Sequence, residues 1–196
     1  MKRRIEESEL ILNPDGSIYH LHLTPDQIAD NIIVVGDPGR VDMVSKYFDT
    51  VDFKMQNREL VTHTGTLNGK AVTAMSTGMG TDNIDIVFNE LDALANIDLK
   101  IREIKDDHRT LYVIRIGTSG SLQADVPVDS FVMATHGLGF DGLMNFYDVD
   151  DKVIDKDLTD AFVSHSNWLP QLARPYIVKG SCQLEKKIGE GMVKGI

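Results

Sequence analysis

The sequence predicts an α/β protein: three layers, α/β/α, around a central mixed β-sheet. Apolar strand-like runs alternate with helical patterns along most of the chain. Three of those strands end in glycine turns, at Gly36-Asp37-Pro38-Gly39-Arg40, Ser76-Thr77-Gly78-Met79-Gly80 and Gly117-Thr118-Ser119-Gly120. Asn68-Gly69 between two strand-like runs marks a hairpin, which adds antiparallel strands to an otherwise parallel sheet.

Ser8 to Ile18 alternates polar and apolar residues around the turn signal Asn13-Pro14-Asp15-Gly16. Tyr19 to Leu23 alternates as well. Thr24-Pro25-Asp26-Gln27 has the form of a helix start, with proline at the first helical position. Asn31 to Val35 reads as a strand, and Val41, Val44 and Phe48 fall at helical spacing behind its glycine turn. Leu60 to Thr66 and Ala71 to Thr77 are the hairpin strands. From about Asp82 a helix places Ile84, Val87, Phe88, Leu91 and Leu94 on one face. Asp98 to Arg109 is a charged surface excursion.

Leu111 to Ile116 is then read as a central strand buried on both faces. Gly117 to Val128 is a loop, Asp129 to Thr135 a strand, and Gly137 to Asp151 a glycine- and aspartate-rich loop. Val153 to Val163 reads as a helix, Tyr176 to Ser181 as a strand, and Gln183 to Gly189 as a short helix or turn. No repeat or linker interrupts the chain, which reads as a single domain over residues 1–196.

The 196 residues are 42% apolar, enough for a real core, and carry a formal charge of −10. With 30 acidic against 20 basic residues and no long basic run, a nucleic-acid partner is not expected. No run is long enough to span a membrane, and the start, Met1-Lys2-Arg3-Arg4-Ile5, lacks the apolar segment of a secretory signal. The single cysteine, Cys182, excludes an internal disulfide framework and a cysteine-rich metal site, so a cytoplasmic setting is expected.

Arg115 interrupts an apolar run just before Gly-Thr-Ser-Gly. A guanidinium there either pairs with a core carboxylate or faces a ligand. Open α/β sheets bind ligands at the carboxyl ends of their strands. The donors on offer are a guanidinium fork, backbone N–H groups and the Thr118 and Ser119 hydroxyls. That set suits an anion, most simply phosphate. None of the turns is a Walker loop or Gly-x-Gly-x-x-Gly after a strand, so ATP-type and dinucleotide sites are not expected.

In this order the motifs His20-Leu21-His22-Leu23-Thr24, Val35-Gly36-Asp37-Pro38-Gly39-Arg40, Asn57-Arg58-Glu59, Ser76-Thr77-Gly78-Met79-Gly80 and Arg115-Ile116-Gly117-Thr118-Ser119-Gly120 resemble the nucleoside phosphorylase superfamily, which contains the uridine and purine nucleoside phosphorylases. The resemblance runs from about Ile18 to Ile196. Thr118-Ser119 and, less specifically, Phe140-Asp141-Gly142 resemble the uridine branch. The resemblance implies a phosphorylase-like fold and transfer of a ribosyl group from uridine to phosphate. The rival readings are a purine nucleoside or 5′-methylthioadenosine phosphorylase and a non-catalytic nucleoside-binding remnant.

The resemblance also implies roles. Gly36 and Arg40 match a first phosphate loop, and Arg115, Gly117 and Thr118 a second, with Thr118 also near the ribose. Arg40 and Arg115 are the catalytic candidates. Arg58 matches an arginine that reaches the phosphate of a neighbouring subunit. His20 matches a histidine that crosses a dimer interface to the ribose 5′-hydroxyl, and Met79 a residue lining the ribose. Glu59 matches a carboxylate that in some members helps hold a monovalent cation, although Asn83 stands where those members carry a serine. No resident cofactor or other metal is expected; phosphate is the co-substrate. The expected assembly is a homodimer, or a hexamer built from dimers. Family members continue past the point where this chain stops, through segments that bind the base and the ribose hydroxyls, so the C-terminal part of the family fold is expected to be missing.

Overall fold

The computed structural model describes residues 3–194. Met1, Lys2, Gly195 and Ile196, at the ends of the leader and family readings, lie outside them. The chain divides into two compact units, residues 1–120 and 121–196.

The first unit opens with the turn at Asn13 to Ser17, where Asn13 N–H donates to Ser17 O at 2.8 Å. Tyr19 to Leu23 is a second turn rather than a strand, because Ile18 and Leu23 bond to each other across it. Thr24 and Gln27 form a capping box around a single 3₁₀ turn, Pro25–Gln27. Then follow β1 (Asn31–Val35), α1 (Gly39–Ser45), β2 (Thr50–Asn57), β3 (Leu60–Leu67), β4 (Lys70–Ser76) and α2 (Thr81–Asn96). A small ladder of β5 (Ile97–Asp98) and β6 (Glu103–Ile104) lies within the charged excursion, and β7 (Tyr112–Arg115) ends the unit's strands.

Five strands form one sheet in the order β2-β3-β4-β1-β7. The β1, β4 and β7 strands are parallel, while β2, β3 and β4 make an antiparallel meander. The mixed sheet is therefore as expected, and so are the layers. On one face Ile32, Val34 and Met75 pack with Val87, Leu91 and Leu94 of α2. On the other, Val35 and Ala74 pack with Val41, Val44 and Phe48 of and beyond α1. Alternate residues of one strand feed two cores, which is the period-2 geometry of a strand covered on both sides. Each fully buried Leu, Ile or Val contributes about 1.5–3 kcal/mol.

Two expectations in this unit change. The β7 strand is not central: among the described residues it pairs only with β1, and Tyr112 is 47% exposed. An apolar run reports what covers a strand's faces and says nothing of whether its outer hydrogen-bonding edge is paired. The β2 strand was not anticipated, although Val51, Phe53 and Met55 alternate with polar residues; its edge position leaves it too polar to stand out.

The second unit pairs β8 (His136–Gly139) antiparallel with β9 (Tyr176–Lys179), and carries α3 (Lys156–Ser166) and α4 (Cys182–Lys194). Asp129 to Thr135 forms no strand; the ladder starts one residue later, at His136, where pairing with Lys179 begins. The α3 helix starts later than its apolar pattern suggests because Asp155 caps it, its carboxylate accepting from Leu158 N–H at 3.0 Å. The α4 helix is longer than expected. Phe140 stacks on Trp168 at 5.5 Å between centroids. The Tyr176 hydroxyl donates to Asp141 Oδ1 at 2.9 Å, and burial together with that carboxylate pushes the phenol up to about 12.

Candidate functional site

Because β1, β4 and β7 are parallel, their three glycine turns leave the sheet at one edge. The ladder carries slightly past the strands: Thr77 N–H donates to Val35 O at 2.8 Å, and Ile116 N–H to Val34 O at 2.9 Å. This holds the turns side by side. Arg115 lies in register with Val34, on the face covered by α2. Its guanidinium folds back over the turns. A Cβ added to Gly117 would overlap Arg115 Nη1, and one added to Gly36 would sit 3.9 Å from Arg115 Nη2 and 3.7 Å from Gly78 O. Glycine at these positions lets a guanidinium and three turns share one small space.

Arg115 has no carboxylate partner among the described residues, so the core-pairing alternative is not what the structure holds. Arg40, half-buried in the first turn of α1, has none either. By contrast Arg3, Arg109 and Arg174 pair with Glu9, Asp30 and Asp160, and Arg102 bonds to Leu10 O. Asp37 shapes the first turn, its carboxylate accepting from Gly39 N–H at 2.8 Å. Gly117 and Thr118 follow in an exposed segment without regular structure.

The β2–β3 turn supplies a second group. Arg58 holds a left-handed backbone, φ 55°, and projects from the tip. Glu59 accepts from Asn83 Nδ2 at 3.0 Å, and a Cβ on Gly78, φ 68°, would meet both side chains. Backbone and Asn83 hydrogen bonds, with the nearby Arg58 charge, hold the Glu59 carboxyl below its ordinary range. Buried Ser76 ties this tip to the second glycine turn: its Oγ donates to Glu59 O at 2.6 Å and accepts from Val61 N–H at 2.7 Å. Met79, between two left-handed glycines, is 90% exposed and no part of the core.

His20 and His22 separate cleanly. His22 Nε2 lies 3.2 Å from Asp15 Oδ2 on the surface. His20 is held by Glu90 of α2, with Nδ1 2.7 Å from Oε1, while its carbonyl accepts from Asn57 Nδ2 at 2.8 Å. Asn57 adjoins Arg58, so the His20 segment is fastened to the turn that carries Arg58 and Glu59.

The structure thus gathers Gly36, Gly78, Arg115 and Gly117 at one point and joins Glu59 and Asn83 to them through Gly78. His20 and Arg58 form a neighbouring group, with no hydrogen bond or ion pair to Arg115 among the described residues. Ser76, Asn57 and Glu90 do essential holding and were not singled out from sequence. Ser76 and Asn57 lie inside quoted motifs; Glu90 acts across 70 positions and gives no local signal. No cluster of three His, Cys, Asp or Glu side chains suited to a metal occurs among the described residues. No helix there is long and apolar enough to cross a membrane.

The sequence profile of the phosphorylase superfamily matches residues 30–193. This chain belongs to that superfamily. It is 34% identical over 129 residues to a uridine phosphorylase of Treponema pallidum, covering 66% of this chain and 45% of the relative. It is 33% identical over 147 residues to a DeoD-type purine nucleoside phosphorylase of Streptococcus suis, covering 72% and 56%. A crystal structure of a Trypanosoma brucei nucleoside phosphorylase, described as showing uridine phosphorylase activity, superposes with a TM-score of 0.78 at 30% identity, over 93% of this chain and 61% of that one. The α/β phosphorylase-like fold is therefore shared. The chain spans about half the length of these curated relatives.

Proposed function

We propose that this phosphorylase-superfamily chain binds phosphate at Arg115 and Arg40 and serves the phosphorolysis of a pyrimidine nucleoside, uridine, to ribose 1-phosphate and free base. The observation that carries the reading is the Arg115 guanidinium, without a carboxylate partner among the described residues and folded over Gly36 and Gly117 at the carboxyl ends of parallel strands. Gly36, Gly117 and Thr118 add backbone and hydroxyl donors, and Arg58 adds a third guanidinium from a neighbouring subunit. His20, Met79 and Thr118 take the ribose.

The chemistry asks little covalent work of the protein. A phosphate oxygen forms a bond to the anomeric carbon as the bond to the base nitrogen breaks, and the proton that the hydrogen phosphate dianion gives up ends on the departing base. Positive charge develops on the sugar, so a rigidly held dianion both attacks and stabilises it. Arginines fixed beside glycine turns supply that rigidity. The uridine preference draws on Thr118-Ser119 and on the activity stated for the Trypanosoma brucei enzyme. The similarity to a purine enzyme supports the purine reading as the second choice. A cytoplasmic homo-oligomer completes the proposal; a monovalent cation at Glu59 would have to share that carboxylate with Asn83.

Calorimetric titration with inorganic phosphate tests the anion site. Arg115→Ala should weaken binding by about 1.5–3 kcal/mol, the worth of a charge-assisted contact. Unchanged affinity in a folded variant removes Arg115 from the site. Direct assay of uridine against inosine then separates the branches, since equal or faster cleavage of inosine moves the chain to the purine enzymes. Phosphate binding with no turnover of either nucleoside favours the non-catalytic remnant.

A further inference from the structure

The carboxylate of Glu90 reaches from α2 to the N-terminal segment and meets three donors there. Backbone N–H of His20 donates to Oε1 at 3.0 Å and Oε2 at 3.1 Å, and that of Leu21 to Oε2 at 2.8 Å. His20 Nδ1 lies 2.7 Å from Oε1. The Glu90 side chain is 12% exposed and that of His20 30%. Tyr19 sets its ring edge-on to the imidazole at 4.8 Å between centroids, and Asn57 fixes the His20 carbonyl from the other side. Ring and backbone are both held, and Nε2 is the one polar atom of the residue with no partner among the described residues.

A carboxylate only accepts hydrogen bonds, so the hydrogen between Glu90 and His20 sits on Nδ1. A neutral ring in that tautomer presents Nε2 as a lone pair. We propose that Glu90 is a positioning residue that fixes His20 in the Nδ1–H tautomer, and so makes Nε2 a selector for a ligand hydroxyl. The inference rests on the phosphorolysis reading, in which His20 meets the ribose 5′-hydroxyl. An acceptor nitrogen rewards a hydroxyl there. It offers nothing to a 5′-deoxy carbon or a 5′-thioether, and it faces the oxygens of a 5′-phosphate with a lone pair of its own. The substrate class is then a nucleoside with a free 5′-hydroxyl, not a 5′-alkylthio nucleoside or a nucleotide. Glutamine at position 90 reverses the logic, since its amide N–H₂ can donate to Nδ1 and leave the hydrogen on Nε2.

The first measurement is nitrogen NMR of the ligand-free full chain at pH 8. Comparison with His20→Gln assigns the signals. The wild type should show a protonated Nδ1 and a bare Nε2, and Glu90→Gln should shift the balance toward Nε2–H. A wild-type Nε2–H tautomer overturns the proposal whether or not the Glu90 variant folds. The second measurement compares binding of uridine and 5′-deoxyuridine in the presence of phosphate. Wild type should prefer uridine about 10-fold, one ordinary hydrogen bond, and Glu90→Gln should lose that preference. A correct tautomer with no preference for the hydroxyl overturns the selector. If neither nucleoside binds, the phosphorolysis reading fails and the selector falls with it, while the NMR result still decides whether Glu90 sets the tautomer.

Discussion

Gly117 is where one added methyl group would meet the Arg115 side chain. A Cβ there overlaps the Arg115 guanidinium, the far end of a flexible side chain, rather than backbone. Gly117→Ala should therefore leave the fold intact and push the guanidinium off the position between Gly36 and Gly117. The expected result is a thermal midpoint close to wild type with phosphate affinity reduced by about 1 kcal/mol or more, the value of a displaced charged hydrogen bond. Unaltered phosphate binding would mean that the folded-back position of Arg115 is not the binding position. Gly65 makes the contrast, because its added Cβ would run into the backbone of Thr50 and Val51. A methyl there attacks the sheet itself, not the site.

At the scale of elements, α1 meets the sheet through an unusual polar contact. His63 on β3 is 5% exposed, and its Nδ1 lies 2.7 Å from Ser45 Oγ on α1. Burial lowers the His63 pKa first, Lys54 on β2 lowers it further, and Asp42 on α1 opposes both from 3.8 Å. The unfolded chain binds this proton more readily than the folded one. Stability is therefore fully present above about 6.5 and is lost as pH falls from there toward the lowered folded value. Urea unfolding at pH 8 and pH 5.5 should show that loss in wild type and a smaller one in His63→Gln. Equal losses in both would place the titration elsewhere. The same region shows what sequence pattern can reveal. The β1, α1, β3, β4 and α2 elements were legible because periodicity and the Asn68-Gly69 turn speak for them locally. The β2 strand at the sheet edge, the open outer edge of β7 and the shift of the second-unit strand to His136 were not, since each depends on which backbone lies alongside. In the site, glycine turns and arginines announced themselves, while Ser76, Asn57 and Glu90 act by long-range hydrogen bonds that no spacing encodes.

For the whole molecule the question is whether one chain makes one pocket. The chain carries ten more negative than positive charges, yet Arg40 and Arg115 stand without carboxylate partners at one sheet edge among the described residues. Arg58 and His20 form their own group at the β2–β3 turn, joined through Asn57. Two groups that touch different neighbours suit a symmetric pair in which each protomer lends Arg58 and His20 to the other's phosphate loops. The test mixes Arg115→Ala and Arg58→Ala chains, each expected to bind phosphate weakly, after unfolding and refolding them together. In a hybrid dimer one pocket collects both lesions and the other collects none. Random pairing of equal amounts makes about half the dimers hybrid, so about a quarter of all pockets should regain wild-type phosphate affinity, read as stoichiometry in a titration. Refolding the two variants separately before mixing should return none. If hybrids form, as shown by differently tagged chains copurifying, and no high-affinity sites return, then Arg58 serves its own protomer or does not touch phosphate, and the shared pocket is wrong.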